Sequence, residues 1–226
     1  MAERYAIVVA GGSGSRFGGD TPKQFMLLAG QPVLMHTIIR LARVATSVTV
    51  VLPEEHIELW RTLCREYDFT EPHEVVAGGA TRFESVKRGL FSLPLSPGDV
   101  VAVHDGVRPL CSTALVERAF ATAAEQGSAI PVIEVTDSVR MVAPTGRTSA
   151  LDRATLRAVQ TPQAFEAMSL REAYCVDYSP RFTDDASVME HAGHEMTLIE
   201  GEPTNIKITR PVDMVVAQFI LTHGNA

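Results

Sequence analysis

The 226-residue chain is 46% apolar, a size and composition that suit one α/β domain, residues 1–226, with a substantial core. Its formal net charge is −7 and it has no basic run, which argues against nucleic-acid binding, because nucleic-acid-binding domains carry a basic patch. The three cysteines form no C-x-x-C pair, and no stretch is typical of a signal peptide or a membrane span. We therefore expect a cytoplasmic protein with reduced thiols and no membrane partner.

A glycine-rich stretch follows the first predicted strand. Residues 5–10 are apolar and rich in Val and Ile, as in a buried parallel strand, and Gly-Gly-Ser-Gly-Ser-Arg-Phe-Gly follows at 11–18. Ligands of open α/β sheets lie at the carboxyl ends of the strands. Glycine N–H groups can point at an anion there, and Arg16 and Lys23 add positive charge. The stretch predicts a polyphosphate site; the alternative is a plain glycine-rich turn.

Three better-known motifs do not fit this stretch. The P-loop requires Gly-Lys-Ser/Thr, whereas Lys23 lies in Pro-Lys-Gln. The dinucleotide fingerprint has Phe17 in place of its third glycine, and no acidic residue lies between Asp20 and Glu54. The nucleophile elbow G-x-S-x-G fails because Ser15 stands where its last glycine belongs.

Strands and helices are predicted to alternate through the middle of the chain, as in an α/β fold. The predicted strands are 47–52, 73–77, 100–103 and 128–132, and the predicted helices begin near residues 32, 54, 81 and 112. Thr81 and Glu84 form a capping box that opens the third helix directly after paired glycines, a second place where a base or ribose could bind.

An aspartate ends the strand 100–103 in the run His-Asp-Gly-Val-Arg-Pro at 104–109. Asp105 would then lie at a carboxyl strand end, beside the glycine loop, where it could hold Mg²⁺ together with substrate phosphates. The alternative for Asp105 is a turn cap. We interpret His104 as structural rather than catalytic.

Residues 133–158 differ from the segments around them. Charged residues alternate with single apolar ones, and Pro-Thr-Gly at 144–146 marks a turn in the middle. This pattern predicts an exposed hairpin, and a long hairpin of this kind usually needs a partner surface.

Two further helices and a strand are predicted beyond the hairpin. One helix starts at Ser169, with a capping box to Glu172. Residues 183–187 open the other, and we interpret their aspartates as helix-start acids favoured by the helix dipole. A strand is expected at 196–199.

The last predicted elements carry a placed lysine. The strand-like run Asn-Ile-Lys-Ile-Thr at 205–209 projects Lys207 to one side. A final helix at 211–221 follows, with an inward stripe formed by Val212, Val215, Val216 and Phe219.

Together these motifs resemble those of nucleotidyltransferases that join a nucleoside triphosphate to a sugar or polyol phosphate. The Ala-Gly-Gly-x-Gly-x-Arg loop, Pro-Lys-Gln, His-Asp-x-x-Arg-Pro and Asn-Ile-Lys-Ile-Thr occur in that order and span nearly the whole chain. The chain is most similar to the cytidylyltransferase family for 2-C-methyl-D-erythritol 4-phosphate. It departs from the family pattern mildly, at Ala80 and Gly106.

The resemblance implies a Rossmann-like α/β fold: an open, mostly parallel twisted sheet with helices on both faces and a protruding β-hairpin arm. It implies CTP, a polyol phosphate and a divalent cation, Mg²⁺ at Asp105, and a homodimer in which the arm brings Arg153 to the neighbouring site. The implied catalytic residues are Arg16, Lys23 and Lys207. The implied nucleotide contacts are Ala10, Gly11, Gly12, Ser13, Gly14, Gly79, Ser85, Asp105 and Gly106. The implied acceptor contacts are Asp105, Arg108, Ser138, Arg153, Thr161 and Thr183.

Three alternatives stay open at this point. Ribitol 5-phosphate could be the acceptor, because that cytidylyltransferase family shares the glycine loop. A nucleotide-binding regulator without turnover is a second alternative. The presence of Arg16, Lys23, Asp105 and Lys207 argues against it, because a protein that only binds a nucleotide needs no charged residues at a reacting centre. A hydride-transferring dehydrogenase is the third, and the incomplete fingerprint argues against it.

Overall fold

A computed structural model of the chain describes residues 2–11 and 22–224. The strands are β1 Arg4–Val9, β2 Leu27–Leu28, β3 Gln31–Pro32, β4 Ser47–Leu52, β5 Glu74–Ala77, β6 Val100–Asp105, β7 Ser128–Glu134, β8 Val139–Val142, β9 Thr148–Leu151, β10 Arg157–Val159, β11 Gln163–Glu166 and β12 Leu198–Glu200. The α-helices are α1 Val33–Ala42, α2 Ile57–Glu66, α3 Arg82–Phe91, α4 Thr113–Gln126, α5 Ala167–Ala173, α6 Asp185–His191 and α7 Pro211–His223. In these parts of the chain, no helix is long and apolar enough to cross a membrane.

The main sheet is open and mostly parallel, which confirms the predicted fold class. Its order is β10-β7-β11-β6-β1-β4-β5, with β12 beside β7. Strands β5, β4, β1 and β6 are parallel, and β11 runs antiparallel between β6 and β7. The sequence pattern did not predict β11.

Helices cover both faces of the sheet because the strands are apolar on both sides. In β1, Tyr5 and Ile7 join one core and Ala6 and Val8 join the other, as the two-residue strand period requires. Helices α1, α2 and α4 pack on the Ala6 face, and α3, α5 and α6 pack on the opposite face. The chain leaves β1 toward β4 on one side, while β6 lies on the other. The carboxyl ends of β1 and β6 therefore form the switch point where ligands of such sheets bind.

Two predicted helix starts have opposite outcomes. The capping box of Thr81 and Glu84 at α3 is confirmed, with Thr81 Oγ accepting from the Glu84 N–H at 3.1 Å. The capping box of Ser169 and Glu172 is wrong. Helix α5 begins at Ala167 directly after β11, and Glu166 is its N-cap, accepting from the Ser169 N–H at 2.7 Å.

The predicted inward face of the last helix is also wrong. Val212, Val215 and Phe219 are 60%, 69% and 63% exposed, and Val216 is exposed as well. Helix α7 instead buries Ala217 in a small cluster with Leu28, Val33 and Ile208, while Met214, Ile220 and Leu221 pack against it. Apolar residues occur nearly all round α7, so the helical spacing of apolar residues is compatible with more than one buried face. The face with the small Ala217 side chain lets the helix pack closer to Leu28, Val33 and Ile208.

The hairpin predicted within 133–158 is present as β8 and β9, paired from Val139↔Leu151 to Val142↔Thr148. Its flanks belong to the main sheet, because Glu134 and Ile133 pair with Arg157 and Ala158. We call residues 135–156 the arm. The apolar side chains of Met141, Val142 and Leu151 on the arm are exposed.

Candidate active site

A pocket of about 250 Å³ lies at the switch point. Its lining residues are Val9, Ala10, Gly11, Lys23, Gln24, Gly79, Ala80, Thr81, Arg82, Ser85, Asp105, Val107 and Lys207. Seven of the residues singled out from the sequence are therefore brought together: Ala10, Gly11, Lys23, Gly79, Ser85, Asp105 and Lys207. The predicted residues Gly12, Ser13, Gly14 and Arg16 lie outside the described residues.

Asp105 is the centre of an ion cluster at the pocket floor. Lys207 Nζ lies 2.9 Å and Arg108 Nε 3.3 Å from Asp105 Oδ2, and Arg82 Nε lies 3.7 Å from Asp105 Oδ1. Burial alone would raise the pKa of Asp105, but the charges of Arg82, Lys207 and Arg108 hold that pKa well below its usual range. Asp105 is therefore ionised. The three cations contact two carboxylates, because Arg82 also pairs with Asp185, and so they exceed the negative charge by one. Such an excess of positive charge suits a polyanionic ligand.

The segment that carries Lys207 is fixed on both sides of the lysine. Asn205 is fully buried and donates from Nδ2 to the Thr161 carbonyl at 2.8 Å. The N–H of the buried Ile208 donates to the Val107 carbonyl at 2.9 Å. Residues 205–209 form no strand, in contrast to the strand-like interpretation, yet these anchors leave Lys207 pointing at Asp105. The Lys207 side chain is 42% exposed, so it can also reach a bound ligand.

The paired glycines approach helix α3 closely. A Cβ on Gly79 would lie 2.3 Å from the Glu84 Cβ, so only glycine fits there. Ser85 Oγ accepts from the Gly79 N–H at 3.2 Å and donates to the Thr81 carbonyl at 2.9 Å. Ser85 therefore fixes this loop against the helix start at the pocket wall.

The Pro-Lys-Gln segment is tied to the end of β1. Residues Lys23–Phe25 form a 3-10 turn, and the buried Gln24 donates from Nε2 to the Ala10 carbonyl at 2.9 Å. This bond places Lys23 in the wall of the pocket. Two of the three lysines in the chain, Lys23 and Lys207, thus line one cavity.

A buried hydrogen-bond chain supports Asp105 from below. The Asp105 N–H donates to Thr161 Oγ at 3.0 Å, and Thr161 Oγ lies 3.0 Å from His104 Nδ1. His104 Nε2 lies 3.1 Å from the Arg108 carbonyl, which can only accept, so Nε2 carries the proton and Nδ1 accepts from Thr161. Burial lowers the pKa of His104 to about 4, so its ring is neutral at pH 7. This position agrees with the structural interpretation of His104.

The other acceptor-side residues do not line the pocket. Arg108 and Thr161 are buried beneath it, and Arg108 Nη1 also donates to the Asn205 carbonyl at 2.8 Å. Ser138 and Arg153 are exposed on the arm, where Arg153 Nη1 donates to the Thr136 carbonyl. Thr183 is exposed just before α6.

Gly106, a predicted nucleotide contact, also lies outside the pocket wall. It is buried behind the wall, where a Cβ would lie 2.9 Å from the Ala10 Cβ. Glycine here lets the ends of β6 and β1 approach each other.

Sequence reasoning missed a second buried cluster beside the pocket. Arg82 forms two hydrogen bonds to the fully buried Asp185, and Asp185 also accepts from the Tyr174 hydroxyl at 2.7 Å. One signal was available in the sequence. Arg82 is the first residue of a helix, where the dipole disfavours a cation, so a carboxylate partner was to be expected.

The donor set at Asp105 fits Mg²⁺ bound together with a nucleotide. Among residues 2–11 and 22–224, no three His, Cys, Asp or Glu side chains are grouped to hold a metal. Mg²⁺ often uses one or two carboxylates, substrate phosphates and waters, and Asp105 supplies one carboxylate at the pocket.

A cation-rich pocket at the switch point of an open α/β sheet suits an enzyme that binds a nucleotide, and the family match identifies that enzyme as a nucleotidyltransferase. The family model described as IspD, 2-C-methyl-D-erythritol 4-phosphate cytidylyltransferase, matches residues 5–223. The chain belongs to this family.

Relatives and solved structures agree with this assignment. A Porphyromonas gingivalis 2-C-methyl-D-erythritol 4-phosphate cytidylyltransferase is 49% identical over 97% of this chain and 98% of its own length. The enzyme of the same name from Bacteroides thetaiotaomicron is 43% identical over 95% of this chain and 98% of its own length. The crystal structure of the Thermus thermophilus enzyme of that name is 31% identical, with a TM-score of 0.74 over 98% of this chain and 100% of that one. The crystal structure of the Francisella tularensis enzyme of that name is 26% identical in sequence. Its TM-score is 0.81, and the match covers 96% of this chain and 99% of that one. The ribitol phosphate alternative is not favoured by these comparisons.

Proposed function

We propose that this chain transfers CMP from CTP to 2-C-methyl-D-erythritol 4-phosphate, giving 4-diphosphocytidyl-2-C-methyl-D-erythritol and pyrophosphate in isoprenoid precursor synthesis. The observation that carries the proposal is the ion cluster at Asp105. Arg82 and Lys207 from the pocket wall and Arg108 from beneath it contact one carboxylate, that of Asp105, in a chain of net charge −7. Family membership supports the choice of substrates.

The nucleophile is the phosphate of the acceptor, which attacks the α-phosphate of CTP in line while pyrophosphate leaves. This nucleophile is already an anion, so the reaction needs no general base. The barrier is electrostatic, because two polyanions must meet while charge develops at the α-phosphate. The work of the protein is therefore positioning and charge stabilisation.

Lys23 and Lys207, which both line the pocket, are the lysines that stabilise the charge of the triphosphate and of the reacting α-phosphate, and Arg16 of the glycine motif shares this role. When the nucleotide binds, the Lys207 ammonium leaves its ion pair with Asp105 and pairs with the α-phosphate. Ala10, Gly11, Gly12, Ser13 and Gly14 offer backbone N–H groups to the triphosphate, and Gly79 and Ser85 form the base side of the pocket. Asp105 is the residue that would hold Mg²⁺, which when bound neutralises phosphate charge.

The acceptor half of the site depends on a second subunit in this proposal. Ser138, Arg153 and Thr183 are exposed. The arm also exposes the apolar side chains of Met141, Val142 and Leu151. Grouped apolar side chains on a protein surface usually mark a site where another molecule binds. In a homodimer built through the arms, Arg153 and Ser138 of each subunit reach the acceptor at the other subunit's pocket. Arg108 and Thr161 then act by holding Asp105 and the Lys207 segment, instead of by touching the acceptor.

We further propose that the enzyme works in the cytoplasm. Cys64, Cys111 and Cys175 are all free thiols, and Cys175 is exposed, which suits a reducing compartment.

Pyrophosphate release tests the function directly. Wild-type protein and the Lys207→Met variant are incubated with CTP and Mg²⁺ plus either methylerythritol phosphate or ribitol 5-phosphate. We expect release by the wild type with methylerythritol phosphate alone, and loss of that release in the variant. Release only with ribitol 5-phosphate would replace the acceptor, and no release by protein that binds CTP would overturn the proposed transfer.

A further inference from the structure

The strongest feature that the proposed reaction does not use is the cluster of Arg82, Asp185 and Tyr174. Arg82 Nη1 and Nη2 lie 3.1 and 2.6 Å from Asp185 Oδ1 and Oδ2. The Tyr174 hydroxyl donates to Asp185 Oδ1 at 2.7 Å, and both Asp185 and Tyr174 are fully buried. A buried carboxylate is costly unless it is paired and hydrogen-bonded, and here it is both.

Arg82 connects this cluster to the pocket. Its side chain is 28% exposed and lines the cavity, and its Nε faces Asp105 Oδ1 at 3.7 Å. Lys207 and Arg108 both lie at the other oxygen, Oδ2. Arg82 is therefore the cation that restrains the Oδ1 side of Asp105 among the described residues.

The orientation of an aspartate carboxylate is intrinsically soft, because rotation about its last torsion meets only a shallow barrier. A charge at Oδ2 alone leaves that rotation open, whereas charges at both oxygens restrict it. Arg82 can restrain Oδ1 because both of its terminal nitrogens are committed to Asp185. The same commitment makes it a poor choice as a primary phosphate ligand.

The cluster also joins the pocket to the start of α6. Gln163 Oε1 accepts from the backbone N–H groups of Asp185 and Ala186 at 3.1 and 3.0 Å, and Gln163 Nε2 donates to Asp184 Oδ2 at 2.9 Å. Arg82 reaches this network from the first turn of α3, against the preference of the helix dipole. Local rules are most often broken where function requires it.

We propose that Arg82 is a positioning residue of the transfer, anchored by Asp185 and Tyr174, that fixes the carboxylate of Asp105 in the orientation the reaction needs. This inference rests on the function proposed above. It assigns no substrate contact to Asp185 or Tyr174.

Four variants separate positioning from simple stabilisation: Arg82→Met, Arg82→Lys, Tyr174→Phe and the double variant Arg82→Met with Asp185→Asn. The matched control is Arg61→Met, which removes an exposed Arg–Glu pair on α2. Turnover is measured with CTP and methylerythritol phosphate and divided by the CTP-binding stoichiometry from calorimetry, and Tm is measured in parallel.

We expect Arg82→Met to lower kcat about 10²-fold, the size of effect that small misplacement of a reacting group produces. The Kd for CTP should change far less, because Lys23 and Lys207 remain. Arg82→Lys should recover part of kcat, Tyr174→Phe should lower it slightly, and Arg61→Met should leave it unchanged.

The double variant is the decisive comparison. Arg82→Met alone leaves Asp185 as a buried unpaired charge and should lower Tm, whereas adding Asp185→Asn removes that charge and should restore Tm. Positioning predicts that kcat stays low in the double variant. Recovery of kcat together with Tm, or near wild-type kcat in folded Arg82→Met, would overturn the proposal. Since wild-type turnover is measured in the same assay, its absence would count against the proposed function instead.

Discussion

The end of β6 and the arm are built in opposite ways. At the end of β6, Asp105 is contacted by three cations of its own chain and its N–H is bonded to Thr161. On the arm, the polar contacts are local, such as Arg140 to Thr148 across the hairpin, and the apolar side chains face outward. The first region is organised within a single chain. The second is a two-stranded hairpin whose apolar side chains are not covered by any of the described residues, which is why we propose that a second subunit packs there.

The largest expected effect comes from removing charge at the first region. We expect Lys23→Met and Lys207→Met each to fold normally and to lose about 10²–10³-fold in turnover, because each removes a charge placed at the reacting phosphates. The measurement is steady-state pyrophosphate release, with circular dichroism as the folding check.

Lys87→Met is the matched control, since Lys87 is the third lysine of the chain and bonds to the Val176 carbonyl away from the pocket. Near wild-type turnover in either pocket variant would remove that lysine from the mechanism.

The second prediction tests whether the arm serves the other subunit. Arg153→Met should lower activity strongly while preserving CTP affinity, because Arg153 is exposed on the arm and does not line the pocket of its own chain. When subunits carrying Arg153→Met and Lys207→Met are mixed and allowed to exchange, activity should return to about a quarter of the wild-type level, since random pairing gives half heterodimers with one intact site each.

Each variant alone, taken through the same exchange procedure, is the control. If the mixture is no more active than the two variants measured separately, Arg153 does not act across the interface.

The third prediction concerns the buried support of the β6 end. The pKa of His104 is about 4 in the folded chain, against about 6.5 when unfolded. Between those pH values the unfolded chain binds more protons, so the free energy of unfolding falls as the pH falls. From pH 7 to pH 5 we expect His104 to account for a loss of about 2 kcal/mol.

Urea unfolding of metal-free wild type and His104→Gln at both pH values measures this loss. Glutamine keeps a donor and an acceptor but does not titrate. The free energy of unfolding of His104→Gln should therefore fall less between pH 7 and pH 5 than that of the wild type, by that amount. Equal pH dependence in the two proteins would contradict a neutral, buried His104.

The smallest expected effect tests the other exposed apolar surface, the outer face of α7. Val215→Gln should change the free energy of unfolding by less than about 0.5 kcal/mol, because the side chain is exposed. Ala217→Gln, two residues along and fully buried, should cost more than about 2 kcal/mol through overpacking. Denaturant unfolding of both variants shows which face of α7 is buried. A large loss in the free energy of unfolding for Val215→Gln would mean that the face predicted from the sequence is the buried one.

Much of the fold was predictable from local patterns. The strands β1, β4 and β6 are apolar on both faces, and the Thr81–Glu84 capping box and the turn of the arm hairpin are local signals. The capping box at Ser169 failed because Glu166, the last residue of β11, competes for the same helix start. Strand β11 was missed because its neighbours β6 and β7 are distant in the sequence.

The sequence by itself determined which residues carry charge and chemistry: the glycine loop, Lys23, Asp105 and Lys207 all stood out by type and spacing. Only the tertiary structure decided which face of α7 is buried, since an all-round apolar helix satisfies several spacings equally. It also decided that Arg82 pairs with Asp185, 103 residues away. Local patterns record the preferences of single elements, whereas a pairing of this kind exists only after α3 and α6 pack on the same face of the sheet.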